Sequence, residues 1–489
     1  MHPRSIATRP LRPSHASLGC LSSAVLLLAA CQGPSQPSAP TVPPLSPAEH
    51  GAVNLLLVTI DTLRADRMGA YGNPRDTTPS FDALADQGSL FERVYAQRGS
   101  TWPSLASILS SQHPVSHGVR RNGQALEGDP ATLAHALAAS GRRCGAVLTN
   151  ASELGWGGFH DLFPVMQEPR DVVAADRALA WLDQHGDQPF FLWVHFVAPH
   201  DPYQPDAAHR GFVDPSYDGP VDGSIVSTTR LLFEPGPASR ADRDQLLALY
   251  DGEVAWTDAQ LGRLMDRLED RGLLNNTLVV VSADHGEELL DRQNYAFHNA
   301  SVYESTLRLP LAMSLPGAIP QGVRYPELAA SIDIAPTLLE LLDVPAPASF
   351  QGRSLGPLLR GEPWPAQPVF TELEDQILSV RTPAWRYVDN PTGHQPPMVP
   401  AGHIQQAGLA VDAVDNQLHI APRELYAVAD DPLEQRNIAT PDHPQLPAMG
   451  QLVRAFSATQ GWRVGGAAPP QPLDPELRAR LEAMGYVLP

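Results

Sequence analysis

The sequence predicts an α/β protein, with a mostly parallel central sheet flanked by helices and a small antiparallel sheet near the C-terminus. Three observations carry that prediction. Val53–Ile60, Pro189–Val194 and Thr277–Ala283 are nearly unbroken apolar runs, the pattern of strands buried on both faces. Helical periodicity fills Asp129–Ser140, Val172–His185, Arg240–Gly272 and Asp333–Leu342, so strand and helix alternate. From about Pro365 the texture changes to short alternating segments, Pro368–Leu373, Leu378–Arg381, Trp385–Val388 and Glu424–Tyr426, which read as antiparallel strands.

Taken in order, the chain opens with Arg4, Arg9 and Arg12, then an apolar run from Leu18 to Ala30 that stops at Cys31. The run is too short to span a bilayer as a mature helix, and its order of zones predicts a secretory signal over residues 1–30. Leu28-Ala29-Ala30-Cys31 resembles the bacterial lipobox, which makes Cys31 the expected lipidation site. The partner implied is a membrane reached through the lipid anchor, and the location an exported one in the bacterial envelope, with Gln32 favouring an outer membrane. Residues 31–51, rich in Pro, Ser and Ala, form a semi-extended linker. A catalytic domain is expected over 52–364 and an α+β subdomain over 365–489, closed by a helix from Pro475 to Gly485 with Asp474 as its cap.

A formal charge of −20 argues against a nucleic-acid partner, which needs basic stripes. The chain contains no Lys, so every fixed cation is an Arg. Of three Cys, Cys20 falls in the signal and Cys31 at the lipid site, which leaves Cys144 in a buried strand with a packing role. Oligomeric state is not set by these features.

The three apolar runs share a second property. The first ends in Asp61, the second leads to His195 and His200, and the third ends in Asp284-His285. In open α/β sheets the ligand crevice lies beyond the carboxyl ends of the strands, so these side chains are expected to share one site. A further segment, Gly99 to Ser111, carries Thr101 just ahead of Pro103. Pro103 suits the first position of a helix, which places Thr101 at or before a helix N-terminus, where backbone N–H groups and the dipole favour an anion. A hydroxyl there that merely caps the helix is the plainer reading. Asp61, Asp284, His285 and Thr101 together offer oxygen and imidazole ligands for one divalent metal ion, zinc or manganese or, less well, calcium. A metal at the Thr101 hydroxyl would lower its pKa and make it a nucleophile.

These residues also carry a resemblance. Ile60-Asp61-Thr62-Leu63-Arg64, the segment Val194 to Tyr203 with His200, Ser282 to Glu288 with His298, and Ser331 to Leu339 with Gln351-Gly352-Arg353 resemble the sulfatase-type members of the alkaline phosphatase superfamily. Glu424-Leu425-Tyr426 through Asn437 resembles their C-terminal subdomain. The resemblance implies an alkaline phosphatase-like fold and a metal-dependent hydrolase or transferase whose substrate is an anionic phosphate or sulfate ester. Aligned on Pro103, the position that sulfatases convert to formylglycine is Thr101, their signature Arg is Leu105, and the second of their paired aspartates is Thr62. No formylglycine is expected. Members with Thr at this position resemble phosphodiesterases and phosphoglycerol or phosphoethanolamine transferases, in which the Thr attacks phosphorus and a phospho-threonine forms. His200 aligns with the family's leaving-group acid or substrate-binding His, while His298 and His117 fall at substrate-binding positions. Which of them protonates the leaving group stays open, and His195 reads as core. Two alternatives remain: a sulfuric ester hydrolase, and a non-catalytic anion-binding lipoprotein on the same scaffold.

Overall fold

The first long apolar run forms strand β1 (Asn54–Ile60), every residue of it buried, and the sheet is built outward from it. The computed structural model describes residues 53–124, 126, 131–149, 165–168, 171–233, 238–292 and 295–465. The signal, Cys31, the linker 31–51 and the Pro475–Gly485 helix lie outside the described residues.

Among the described residues the central sheet has nine strands. In chain order they are β1, β2 (Ser89–Tyr95), β3 (Arg143–Thr149), β4 (Val165–Glu168), β5 (Phe190–Phe196), β6 (Thr277–Ala283), β9 (Arg308–Leu309), β10 (Leu311–Ser314) and β11 (Val323–Ala330). Two short strands, β7 (Glu288–Leu289) and β8 (Ala296–Phe297), pair separately. The sheet order is β11-β2-β10-β6-β1-β5-β3-β4, with β9 against β2. β10 runs antiparallel to both β6 and β2, and β9 antiparallel to β2; the other pairings are parallel. β1, β5 and β6 are buried along their whole lengths, which is why their sequences are apolar without alternation.

Register then does the positioning. Ile60 lies opposite Phe196 on one side and Ala283 on the other. The next residues, Asp61, Val197 and Asp284, therefore leave the sheet at one level.

The helical expectations hold to within a few residues. Among the described residues the helices include α1 (Pro79–Asp86), α2 (Thr101–Ser110), α3 (Leu133–Ala139), α4 (Asp171–His185), α5 (Arg240–Asp270), α6 (Ile334–Leu341) and α7 (Leu446–Gln460). Thr132 and Ser239 cap α3 and α5 through reciprocal side-chain bonds with His135 and Asp242. α2 corrects one expectation: Thr101 is its first residue and Ser100 its cap position, so Pro103 is the third residue and not the first. A first-turn N–H has no intrahelical acceptor, so Pro loses nothing at either place. No helix among the described residues is long and apolar enough to cross a membrane. Cys144 is buried in β3, and burial pushes its thiol up to about 12, in keeping with packing.

The C-terminal sheet is an antiparallel meander of β12 (Val369–Leu373), β13 (Ile377–Arg381), β14 (Trp385–Asp389) and β15 (Arg423–Ala427). α7 covers it, with Met449, Val453 and Phe456 packed on Leu378, Val380, Tyr387 and Leu425. β12 is tied to the chain just ahead of α2: Glu372 N–H donates to the Gln97 carbonyl at 3.0 Å, and the Thr371 hydroxyl to that of Ala96 at 2.6 Å.

Candidate active site

Asp61, Asp284 and His285 converge at the ends of β1 and β6, all fully buried, with one ligand atom of each within 4.8 Å of the others. His285 Nε2 lies 3.6 Å from Asp61 Oδ1, 3.5 Å from Asp284 Oδ2 and 3.4 Å from the Thr101 hydroxyl. His285 Nδ1 lies 2.9 Å from the Gly286 carbonyl, which requires an N–H there and leaves the Nε2 lone pair turned to the group. Gly286 admits no side chain, because a Cβ would come within 2.1 Å of the Ser305 carbonyl oxygen.

Both oxygens of Asp61 and Oδ2 of Asp284 have no hydrogen-bond partner among the described residues. Asp284 Oδ1 accepts from the backbone N–H of His285 at 2.7 Å and of Thr62 at 3.3 Å. Burial, reinforced by Glu287, Asp201 and Asp171, pushes the Asp61 carboxyl well above the usual carboxylate range. Burial and the charge of Asp61 do the same to Asp284. Burial, with His298 adding to it, drives His285 the other way. Two adjacent buried carboxylates with bare oxygens and a neutral imidazole are the environment that a divalent cation relieves. The residues present therefore fit a metal, and two carboxylates, one imidazole and a hydroxyl suit zinc or manganese better than calcium, which takes roughly six to eight oxygens.

Thr101 is 1% exposed and opens α2, and its hydroxyl does not serve as the helix cap. The first turn is held instead by Asn122, whose side-chain oxygen accepts from Trp102 N–H at 3.0 Å and from the Ser100 hydroxyl at 3.2 Å. The Ser104 hydroxyl donates to the Asp284 carbonyl, pinning α2 to the end of β6. Leu105, where the family's Arg is expected, is fully buried in the apolar core. Thr62, where the second aspartate is expected, has φ of 55° and gives the site its backbone N–H.

Of the other histidines, the structure brings His298 and His200 to this group. The His298 ring centroid is 4.5 Å from that of His285 and 5.1 Å from that of His200. His298 Nδ1 bonds Glu287 at 2.9 Å, and its buried Nε2 has no partner among the described residues. Burial, with the charge of His200, pushes His298 down to about 3. For His200, burial acts downward, but Asp201 and Glu287 outweigh it and its pKa is raised. His195 takes an intermediate place: Nδ1 bonds the Thr59 hydroxyl at 2.9 Å, while Nε2 stands 4.0 Å from Asp61 Oδ2. His117 is not brought to the group. Its Nε2 lies 3.0 Å from the Ser107 hydroxyl and its Nδ1 accepts from Val119 N–H at 3.1 Å, so both nitrogens are engaged on the flank of α2.

Sequence reasoning passed over several residues here. Glu287 accepts from the Tyr203 hydroxyl at 3.0 Å and orients His298. Asp171 accepts the backbone N–H groups of Val197 and Ala198, fixing the turn that leads to His200. Glu287 stands inside the Asp284-His285-Gly286-Glu287 run, so its proximity was visible in the sequence, but its partner was not.

The sulfatase family's sequence profile matches residues 53–344. The N-acetylglucosamine-6-O-sulfatase of Bacteroides thetaiotaomicron is 24% identical over 438 residues, covering 71% of this chain and 76% of that protein. Arylsulfatase A of Homo sapiens is 26% identical over 489 residues, covering 82% and 87%. The crystal structure of the phosphonate monoester hydrolase of Agrobacterium radiobacter shares the fold, with a TM-score of 0.65 over 83% of this chain and 96% of that one at 21% identity. The matched span runs from the start of β1 past the end of α6 and takes in Asp61, Thr101, His200, Asp284, His285 and His298 alike, and the chain belongs to the sulfatase family.

Proposed function

We propose that this sulfatase-family hydrolase acts on phosphate esters, with Thr101 as the nucleophile. The observation that carries the reading is Thr101 itself: a plain hydroxyl residue at the N-terminus of α2, 3.4 Å from His285 Nε2, where formylglycine would otherwise stand. Asp61, Asp284, His285 and Thr101 would hold one divalent ion, of which zinc and manganese are the candidates. When bound, that ion supplies Lewis-acid polarisation of the ester and a lowered pKa for the hydroxyl.

The chain's own groups supply the rest. The N-terminus of α2 turns the positive end of its dipole to the region where an ester oxyanion sits, although its Trp102 N–H is taken by Asn122 and Pro103 has none. Thr101, having released its hydroxyl proton to solvent on holding the ion, would attack phosphorus through Oγ1 as the bond from phosphorus to the leaving alkoxide breaks. His200, whose pKa is raised by Asp201 and Glu287 against the effect of burial, is the group suited to give it a proton. Left neutral by that transfer, His200 can take a proton from the water that cleaves the phospho-threonine, while His298, held by Glu287 at Nδ1, stands beside the His285 ring. An acceptor other than water would make the same site a transferase.

Sulfate-ester hydrolysis is the second reading, favoured by the sulfatases among the relatives. It meets a chemical obstacle: a sulfated Thr lacks the second hydroxyl through which a formylglycine hydrate expels sulfate, so the cycle would stop after one turn. The deciding experiment compares bis(4-nitrophenyl) phosphate with 4-nitrophenyl sulfate on wild type and Thr101→Ala. Steady phosphodiester turnover that Thr101→Ala abolishes and Thr101→Ser partly keeps is expected. Rapid multiple turnover of the sulfate alone would overturn the phosphoester reading. We further propose that the enzyme is exported and held at a membrane through lipid on Cys31, on the strength of its signal and lipobox-like order.

A further inference from the structure

α2 begins at Thr101, and the chain on both sides of it is tied to one residue of the small sheet, Glu372 in β12. Upstream, Glu372 N–H donates to the Gln97 carbonyl at 3.0 Å, and the Glu372 carbonyl accepts from Arg98 Nη1 at 3.2 Å. Downstream, the Glu372 carboxylate holds Arg120: its Oε2 accepts from Nε at 3.1 Å and also from Nη2. Both partners of this ion pair are buried. Beside it, Arg121 Nη2 stands 3.6 Å from Asp375 Oδ1, at the turn between β12 and β13.

Arg120 opens the turn that carries Asn122. Gln124 closes it, its side-chain oxygen accepting from Arg120 N–H at 2.7 Å and from Arg121 N–H at 3.0 Å. Gly123 takes φ of 89° in the bend, a conformation open to glycine at no steric cost. From inside this turn the buried Asn122 reaches back to α2, where its side-chain oxygen accepts from Ser100 and from Trp102, the residues on either side of Thr101. Ser100 makes no capping bond of its own and Pro103 has no N–H. The start of α2 therefore takes its place from Asn122 and from the Ser104 contact with Asp284.

We infer that Glu372 and Arg120 are positioning residues for Thr101: their ion pair, carried by the small sheet, sets the turn from which Asn122 fixes the start of α2. The inference rests on the proposed role of Thr101 as nucleophile. A charge-assisted bond is shorter and stronger than a neutral one, so the pair fixes the turn more firmly than a neutral contact would. Placement of this kind acts on rate: a reacting group displaced by about 1 Å can lose roughly 100-fold. Thr101 Oγ1 lies 3.4 Å from His285 Nε2, and a displacement of that size is a large part of the separation. The small sheet thus acts on the chemistry through α2, while the strand ends supply the reacting groups.

The test separates position from stability. Glu372→Gln alone leaves Arg120 as an unpaired buried charge, so the decisive variant is Arg120→Met/Glu372→Gln, which removes both charges and is expected to melt close to wild type. Hydrogen exchange of the full chain, read by mass spectrometry on the peptide spanning residues 97–105, is expected to run about tenfold faster in this variant. On whichever of bis(4-nitrophenyl) phosphate and 4-nitrophenyl sulfate wild type turns over, its kcat is expected to fall about tenfold with KM unchanged. Asn122→Ala should lose at least as much, and joining it to the double variant should lower kcat little further than Asn122→Ala does, because all three act through one tie. Exchange of that peptide at the wild-type rate, or losses that multiply in the combined variant, would overturn the inference. Turnover of the sulfate alone overturns the phosphoester reading and leaves these comparisons readable. Turnover of neither ester overturns the reading of Thr101, while the exchange rate still decides whether Glu372 and Arg120 set the start of α2.

Discussion

Asp61→Asn should change the sign of its effect on stability according to whether metal is present. Burial, with Glu287, Asp201 and Asp171 close by, raises the Asp61 carboxyl well above its usual range in the metal-free fold. In the unfolded chain the same group loses its proton near pH 3.9, to within about one unit. Between those two values the folded state holds the proton that the unfolded state has released, so the contribution of this group to stability falls as pH rises and is unfavourable at neutral pH. Asn does not ionise, and metal-free Asp61→Asn should therefore melt at or above metal-free wild type at pH 7. Metal reverses the order. An ion at about 100 times its Kd adds roughly 2.7 kcal/mol to wild type. Residues 53–465, at about 2.1 cal/mol/K each, give an unfolding entropy of roughly 0.9 kcal/mol/K, which converts that gain to a rise in Tm of about 3 °C. Calorimetry of both proteins in EDTA and in rising zinc or manganese reads the whole pattern. An Asp61→Asn protein that melts well below wild type in EDTA, or that keeps the full metal-dependent rise, would refute the ligand assignment.

Two further outcomes are expected. Arg386, 1% exposed, is paired with the buried carboxylate of Glu434, and its guanidinium also stands 3.5 Å from Glu304, just ahead of β9. Arg386→Met leaves Glu434 uncompensated and should cost about 3–5 kcal/mol, a fall in Tm of roughly 3–6 °C, much of it recovered in Arg386→Met/Glu434→Gln. Equal melting of the single and double variants would show that the buried charge is not the cause. Cys31→Ala should yield an unprocessed or soluble protein, and a variant that partitions into detergent like wild type would remove the lipid anchor from the account.

What the sequence made legible follows from where the information is stored. β1, β5 and β6 are buried on both faces, so their composition has no reason to be polar until the strand ends, and Asp61, His200 and the Asp284-His285 pair stand out at or just beyond those ends. Parallel pairing in register then brings strand ends together without further instruction. Thr101 was legible through the Pro103 that follows it, although Pro is tolerated throughout a first turn and so did not fix the first residue of α2. The supporting contacts were not legible. Glu287 and Tyr203 are 84 residues apart, and Trp102 and Asn122 meet across a turn of no fixed spacing. His403 meets Phe297 only because an excursion from the small sheet docks on the helix Ile225–Phe233, and neither periodicity nor composition records that docking. His117 shows the converse: a His close in sequence to the nucleophile helix, whose two nitrogens are taken by Ser107 and Val119.

The account stands or falls on the identity of the atom that joins Thr101 during turnover. Wild-type enzyme is mixed with a slowly cleaved phosphodiester, quenched in acid within one turnover and digested, and the peptide spanning residues 101–120 is sequenced by mass spectrometry. The account predicts unmodified Thr101 in resting enzyme and phospho-Thr101 in the quenched sample, with no such adduct in Asp284→Ala, which removes a proposed metal ligand. A Thr101 that stays unmodified while the diester is consumed, or that carries sulfate while a sulfate ester turns over rapidly, would contradict it.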